Sequence, residues 1–162
     1  NSMKLFLNSF FDKNYSKQAE VISILTERIS KKCNSEVKIV IKTSFKTFES
    51  DKFTNAAGLL VYEGFRSICP VTSQPDWGNI YLYSSTNILD KKEIFDFLFS
   101  LRNHGGFHEN CIEKTFLYVK ETFSVDHLEI CGRFFRRGGI DINPIRSTQK
   151  KLFFENFREF NQ

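Results

Sequence analysis

The residue types best suited to covalent chemistry enclose one short segment, which begins at Cys69 and ends at Asp76 with the sequence CPVTSQPD. The proline after Cys69 favours an extended backbone at the cysteine, and Pro75 stiffens the chain just before the aspartate. A thiol and a carboxylate on stiff backbone could face one small volume, where the thiol attacks an electrophile and the carboxyl group protonates it. Spacing alone does not decide this, because a lone cysteine is more often a small buried hydrophobic residue.

A second motif, RNHGGFHE, ends at His108 and Glu109. Its two glycines allow a tight approach of the backbone to a ligand. Glu109 is expected at the start of a helix, where a carboxylate also stabilises the helix dipole. One interpretation is therefore a charged surface turn. The other is recognition of a guanine-like edge, because one carboxylate can accept hydrogen bonds from the ring N1–H and the 2-amino group together, while His108 adds a contact or a proton.

A third motif places two arginines, Arg136 and Arg137, directly before two glycines, Gly138 and Gly139. Paired guanidinium groups on mobile backbone can clamp a phosphate. Such a run is more often a solvated hairpin, so this motif stays open between the two interpretations.

Composition limits the class of protein. The chain has 162 residues, of which 41% are hydrophobic and 26% charged, as in an ordinary soluble globular protein. No apolar run approaches 18 residues and nothing at the start resembles a signal peptide, so we predict a cytoplasmic protein without a membrane span. A net charge of +4 without a basic-aromatic stripe gives no expectation of direct nucleic-acid binding. The cysteines are widely spaced, which argues against a metal site and a disulfide framework: Cys33, Cys69, Cys111 and Cys131.

Hydrophobic periodicity predicts an α+β protein. Ser16 is a candidate N-cap, and Asp90 with Glu93 forms a candidate capping box. The predicted helices cover residues 16–33, a segment after Asp90 that includes Leu101, and 109–122. The predicted strands are 37–41, 59–62, 80–83 and 128–135, and the polar residues 43–56 are expected to form a loop or linker.

The order of these elements indicates an internal repeat. Residues 4–10, the helix at 16–33 and the strand at 37–41 parallel residues 95–101, 109–122 and 128–135. The first copy lacks opening strands, which predicts either a fragment or a preceding module that the sequence does not include. We therefore expect residues 1–54 to be the remnant of a first module plus a linker, and residues 55–162 to be the catalytic module.

Together the three motifs resemble the QueF family in order and spacing, over about residues 59–147. The resemblance implies the tunnelling fold, an antiparallel sheet with paired helices whose repeated modules form a barrel on assembly. It also implies an enzyme of queuosine biosynthesis, a tRNA modification, that reduces the nitrile of 7-cyano-7-deazaguanine to an aminomethyl group with two NADPH.

By the same resemblance, Cys69 is the nucleophile that forms a thioimidate and Asp76 is the general acid and base. His108 and Glu109 hold the deazaguanine, and NADPH phosphates bind at Arg136, Arg137 and Gly138.

The chain departs from the family at a Glu-Ser-Lys-Ser type string that contributes to NADPH and substrate binding. One-module members carry it before the His-Glu motif, where this chain has none. A degenerate copy instead opens the sequence, so Ser2 and Lys4 are predicted to bind the cofactor. Groups missing from this copy would come from another module or subunit. We therefore expect a homo-oligomer, and the Phe153, Phe154, Phe157 and Phe160 tail offers an apolar face at helical spacing that could pack on another subunit or on its own module.

Two alternatives use the same motifs. One is the amidine-forming branch of the family, which adds ammonia to a nitrile already in tRNA without NADPH. The other is a non-catalytic purine- or pterin-binding module of the same fold, which an inert, buried Cys69 would support.

Overall fold

A computed structural model describes residues 2–10, 13–41, 57–86, 89–159 and 162. The chain divides into two compact units, Asn1–Phe45 and Lys46–Gln162. The domain boundary predicted after residue 54, and the linker around it, lie among residues 42–56, outside the described part of the chain.

The first unit contains two helices, α1 over Ser2–Asn8 and α2 over Gln18–Cys33. The predicted N-cap was one residue early: Lys17 occupies the N-cap position of α2 without a side-chain capping hydrogen bond, and the Ser16 hydroxyl donates to the Glu20 carboxylate at 3.3 Å. The strand predicted over residues 37–41 is wrong: this segment has no regular structure, and Val40 is 61% exposed. β-branched residues favour a strand only where a neighbouring strand and a core cover them, which the described residues of this unit do not provide.

The second unit is built on a four-stranded antiparallel sheet, in the order β1-β2-β3-β4. Its strands cover Leu59–Ile68, Pro75–Ser84, Leu128–Phe134 and Ile145–Ser147. The predicted strands at 59–62 and 80–83 are the inner parts of β1 and β2. β4 was missed because three residues are too few to show an alternating pattern.

β1 continues past its predicted end through a bulge between Tyr62 and Phe65. Gly64 lies in the bulge with φ +70, and its N–H donates to Asn79 Oδ1 at 3.1 Å. Beyond the bulge Ser67 pairs with Asp76. The bulge therefore lets β1 and β2 extend to the segment that carries the cysteine and the aspartate.

Two helices, α3 over Lys91–Ser100 and α4 over His108–Phe123, pack on one face of the sheet. Asp90 caps α3 by accepting the Glu93 N–H at 3.0 Å, as predicted. A short 3-10 turn, Leu101–Asn103, follows α3. The hydrophobic core between helices and sheet contains Phe65, Ile80, Leu82, Ile94, Leu98, Ile112, Leu128, Ile130 and Phe134.

The C-terminal tail covers part of the opposite face of the sheet. Phe154 and Phe157 are buried against Tyr81 and Cys131. The tail is irregular rather than helical, so its helical spacing was misleading, and Phe160 lies outside the described residues. Its described phenylalanines pack on their own unit, which is one of the two packings that the sequence left open.

The predicted fold class is confirmed: the second unit is α+β, with paired helices on one face of an antiparallel sheet. Its assembly into a barrel stays a prediction. Among the described residues, no helix is long and apolar enough to cross a membrane.

Candidate active site

Cys69 follows the last residue of β1 and begins the turn that leads into β2. The turn closes on the cysteine itself, because its N–H donates to the Gln74 carbonyl and its carbonyl accepts the Ser73 N–H, both at 2.9 Å. Ser73 takes a left-handed conformation, with φ +56. The thiol is half-buried and belongs to no disulfide. It is thus held on a tight turn yet remains reachable.

Asp76 lies in β2 on the helix-facing side of the sheet and is only 4% exposed. Its two carboxylate oxygens have different partners. Oδ1 accepts a hydrogen bond from Arg137 Nη1 at 2.7 Å, and Oδ2 lies 3.3 Å from His108 Nε2. A buried carboxylate needs such partners, because burying an unpaired charge is costly.

His108 reaches Asp76 because the segment before α4 is attached to the end of β1. Ile68 donates its N–H to the His104 carbonyl at 2.9 Å and accepts the Gly106 N–H at 3.0 Å. The imidazole is buried and stacks on Phe134 at 4.1 Å between ring centroids. Burial lowers the pKa of His108 below its ordinary 6.5, although the Asp76 carboxylate offsets part of this effect. The ring is therefore neutral near pH 7.

Arg137 connects the aspartate to the cysteine turn. Besides the contact with Asp76, its Nη2 donates to Thr72 Oγ1 at 3.1 Å and to Gln74 Oε1. The side chain remains 37% exposed. One guanidinium group thus touches the buried carboxylate and the turn that carries the thiol.

The surroundings of Cys69 favour the thiolate. The Thr72 hydroxyl lowers the pKa of the Cys69 thiol most; burial opposes it, and the backbone N–H groups of Thr72 and Val71 and the Arg137 side chain lower it further. The buried Cys131 shows the opposite case, because burial raises its pKa to about 12. A lowered pKa is typical of a nucleophilic cysteine rather than of a structural one.

Glu109 lies in the first turn of α4, as the sequence predicted, and its side chain is exposed. It directly follows His108, so it stands at the same helix end that approaches Asp76. Arg136 is also partly exposed, with its Nε 3.8 Å from Asp141 Oδ1. The backbones of Arg137 and Ile140 pair with each other and close a tight turn. Gly138 lies in this turn with φ +60.

The other predicted cofactor residues, Ser2 and Lys4, lie on α1 in the first unit. Their role stays a prediction. In the second unit the structure brings together Cys69, Asp76, His108 and Arg137 through the contacts above.

Sequence reasoning assigned no role to Thr72 or Gln74, although both lie inside the cysteine motif. A signal was available in the sequence: two polar side chains lie between the cysteine and the aspartate, on a turn too short to bury them, so they could contact the site. Ser67 and Cys111 were missed as well. Both are buried beside Asp76 and His108, and burial raises the pKa of Cys111 while Ser67 opposes that rise.

Comparisons with known proteins agree with this architecture. A family model described as QueF-like protein matches residues 75–152. The crystal structure of the archaeosine synthase QueF-Like in the apo form is similar with a TM-score of 0.50, over 57% of this chain and 95% of that chain. Sequence identity to it is 14%, so this likeness shows the fold alone. The fold and the matched segment are thus both those of QueF-like proteins.

Curated relatives show to which enzymes within the QueF-like class the chain is similar. The NADPH-dependent 7-cyano-7-deazaguanine reductase of Coxiella burnetii (strain Dugway 5J108-111) is 30% identical, and the alignment covers 99% of this chain and 68% of the relative. The protein of the same name from Hahella chejuensis (strain KCTC 2396) is also 30% identical, over 97% and 68%. The chain belongs to the family of NADPH-dependent 7-cyano-7-deazaguanine reductases.

Proposed function

We propose that this chain reduces the nitrile of 7-cyano-7-deazaguanine to an aminomethyl group in queuosine biosynthesis, with two NADPH. The observation that carries the proposal is the pairing of a half-buried thiol with a buried carboxylate through Arg137. The names of the relatives supply the substrate and the cofactor.

Cys69 is the nucleophile in this proposal. Its thiolate adds to the nitrile carbon, and the nitrile nitrogen takes up a proton, which gives a thioimidate with a C=N bond. A nitrile nitrogen is a very weak base, so attack succeeds only if a proton arrives as the carbon–sulfur bond forms. A thiol held on a rigid turn beside an acid meets both requirements.

Asp76 is the proton donor in this proposal. His108 lies 3.3 Å from one of its oxygens and orients the carboxyl group, and the half-exposed Arg137 holds the other oxygen. NADPH, when bound, supplies hydride, one molecule for each of the two reductions. After the first reduction the carbon–sulfur bond breaks, Cys69 leaves as thiolate, and an imine remains. Asp76, which has taken up a new proton from solvent after the first step, then protonates the nitrogen as the second reduction gives the amine.

The residues present fit a phosphate-bearing cofactor. Arg136 and Arg137 are both partly exposed, and a Cβ added at Gly139 would meet no atom within 4 Å, so the turn after the arginines has open space beside it. We propose that Arg136, Arg137 and the backbone at Gly138 hold NADPH phosphates. From the degenerate motif at the start of the sequence, we also propose that Ser2 and Lys4 bind the cofactor.

Glu109 and His108 bind the deazaguanine in this proposal. The exposed Glu109 carboxylate can accept the N1–H and the 2-amino group together. The His108 ring forms one side of the binding site in this proposal, and the stack on Phe134 fixes the position of the ring.

Neither alternative gains support. The relatives at 30% identity are named reductases, so the amidine-forming reaction is not favoured. A non-catalytic binding module would have an inert, buried Cys69, whereas this thiol is half-buried with a lowered pKa.

The test is NADPH consumption in the presence of 7-cyano-7-deazaguanine. Cys69→Ala should consume no NADPH and form no ultraviolet-absorbing adduct, while it still binds the base. The matched control is Cys33→Ala, at the exposed end of α2, which should retain activity. Reduction by the Cys69→Ala variant would overturn the proposal.

We further propose a cytoplasmic homo-oligomer, a dimer or larger, in which modules complete the barrel. Among the described residues β1 is an outer strand of the sheet, and outer strands pair readily with other chains. Light scattering on the purified protein tests this, and a stable monomer at micromolar concentration would contradict it.

A further inference from the structure

The hydroxyl of Thr72 has both of its acceptor positions in use. Arg137 Nη2 donates to Thr72 Oγ1 at 3.1 Å, and the Gln74 N–H donates to the same oxygen at 3.4 Å. A hydroxyl group has two lone pairs and one proton. With both lone pairs occupied, the Thr72 hydroxyl is left with its one proton to donate.

The side chains of Thr72 and Cys69 share a hydrogen bond. Thr72 lies three residues along the same turn, and its hydroxyl is the largest single cause of the lowered pKa of the thiol. The guanidinium that donates to Thr72 also donates to Asp76 at 2.7 Å, so it is fixed in place by a buried carboxylate. A hydroxyl that accepts from a cation becomes a stronger donor, because hydrogen bonds in a chain polarise one another.

We propose that Thr72 is a positioning residue for the reaction: Arg137 orients and polarises its hydroxyl, which donates to the Cys69 sulfur. The inference deepens the proposed function and rests on Cys69 as the nucleophile. It assigns Thr72 two effects. The hydroxyl stabilises the thiolate before attack on the nitrile, and it stabilises the same thiolate when the carbon–sulfur bond breaks after the first reduction.

A purely local role for Thr72 makes a different prediction. A threonine hydroxyl that accepts the N–H two residues further on shapes a turn, whatever its proton does. At 3.4 Å that bond is long, and the Thr72 side chain is exposed. If turn shape were the whole role, removing the hydroxyl would leave the ionisation of Cys69 unchanged.

The experiment measures the alkylation rate of Cys69 by iodoacetamide against pH, without substrate or NADPH. Cys33 is exposed and is replaced by serine in every protein compared, while Cys111 and Cys131 are buried. Thr72→Val keeps the branched shape without a donor and should move the midpoint of the pH–rate profile upward. At a pH below both midpoints its alkylation should be about tenfold slower, in line with the loss of one hydrogen bond to a charged group.

Thr72→Ser is the matched control, since it keeps the hydroxyl and should restore the wild-type midpoint. Circular dichroism checks that both variants keep the fold. An unchanged midpoint in Thr72→Val would overturn the inference. Because this assay does not depend on nitrile reduction, the result separates failure of the inference from failure of the proposed function.

The link to Arg137 is tested by a double-mutant cycle. Arg137→Gln should raise the midpoint in the presence of Thr72 and raise it less in the Thr72→Val protein, because part of the effect of Arg137 passes through the hydroxyl. Equal shifts in the two backgrounds would show that the two side chains act independently, which would overturn the relay.

Discussion

His108 is the residue whose ionisation most directly affects the candidate site. It is buried against Phe134 and beside Asp76, and burial lowers its pKa. The unfolded chain therefore binds a proton near pH 6.5 that the folded protein does not bind. Folding stability from this group is complete above that pH and is lost as the pH falls through it toward the lower folded pKa.

This gives a pH-dependence prediction. The urea midpoint of the wild type should fall between about pH 7 and about pH 5.5, and the fall should be smaller in His108→Gln, which has no group to protonate. The quantity compared is the change of the urea midpoint with pH. The midpoint itself is not compared, because His108→Gln also lowers stability at every pH by disturbing the stack on Phe134. Equal slopes in the wild type and His108→Gln would contradict the prediction.

Glu109 allows a test of base recognition. Glu109→Gln replaces a carboxylate that accepts two hydrogen bonds with an amide whose NH₂ opposes one of the donors. We expect a loss of about 2–4 kcal/mol in the binding free energy of 7-cyano-7-deazaguanine, measured by calorimetry, because a donor is left unpaired.

A ligand control separates recognition from general damage to the site. A deazapurine without the 2-amino group should bind the wild type poorly and should lose much less affinity in Glu109→Gln. If both proteins discriminated equally between the two bases, Glu109 would not contact this edge.

At the residue scale, the sequence predicted the thiol, the acid and the His-Glu pair because each lies in a short local motif. It did not predict what Arg137 does. Arg137 and Asp76 are 61 residues apart in sequence and meet because β2 pairs with β3. No local pattern carries that register, so the contact between Arg137 and the Asp76 carboxylate could not be predicted, while binding of Arg137 to a cofactor phosphate stays a prediction.

At the element scale, the close pairing of β2 with β3 depends on Gly78. A Cβ added at Gly78 would lie 2.6 Å from the Arg133 carbonyl oxygen and 2.9 Å from Phe134 Cα, both rigid backbone atoms. Phe134 in turn supports His108. A side chain at position 78 would therefore separate the strands beneath the imidazole.

We predict that Gly78→Ala lowers the free energy of unfolding by about 1–3 kcal/mol, measured by urea denaturation. It should also slow the reaction, since Asp76 lies two residues before Gly78 in the same strand. Gly105→Ala is the control, because a Cβ there would meet nothing within 4 Å. Equal stability of the two variants would show that the strands adjust freely.

The elements also show where periodicity misleads. The two helix pairs match across the proposed repeat: α2 and α4 each have 16 residues and each end at a left-handed residue, Asn34 and Ser124. The strand predicted over residues 37–41 does not form, although its counterpart in the repeat is β3, because β-branched composition indicates a strand only if a sheet is present to receive it. A helix forms its hydrogen bonds within one segment of the chain, whereas a strand needs a partner. A local sequence pattern therefore predicts helices more reliably than strands.

At the scale of the whole molecule, one buried carboxylate donates no proton but accepts two hydrogen bonds that help to hold the tail on the sheet. Glu129 in β3 is fully buried, and its two oxygens accept the N–H groups of Phe153 and Phe154 at 2.9 and 2.7 Å. These bonds place Phe154 against Tyr81, in the second apolar cluster of the unit. The sequence could not predict this, because a glutamate in a strand is normally expected on a solvated face.

The last prediction concerns this anchor. Glu129→Gln can accept from only one of the two N–H groups and turns its own NH₂ toward the other, so a buried donor is left unpaired. We expect a loss of about 2–3 kcal/mol in the free energy of unfolding and faster proteolysis after residue 148. Glu121→Gln, on the exposed side of α4, should change neither property. If Glu129→Gln instead kept wild-type stability and protease resistance, the apolar contacts of Phe154 and Phe157 would be sufficient to hold the tail without the carboxylate.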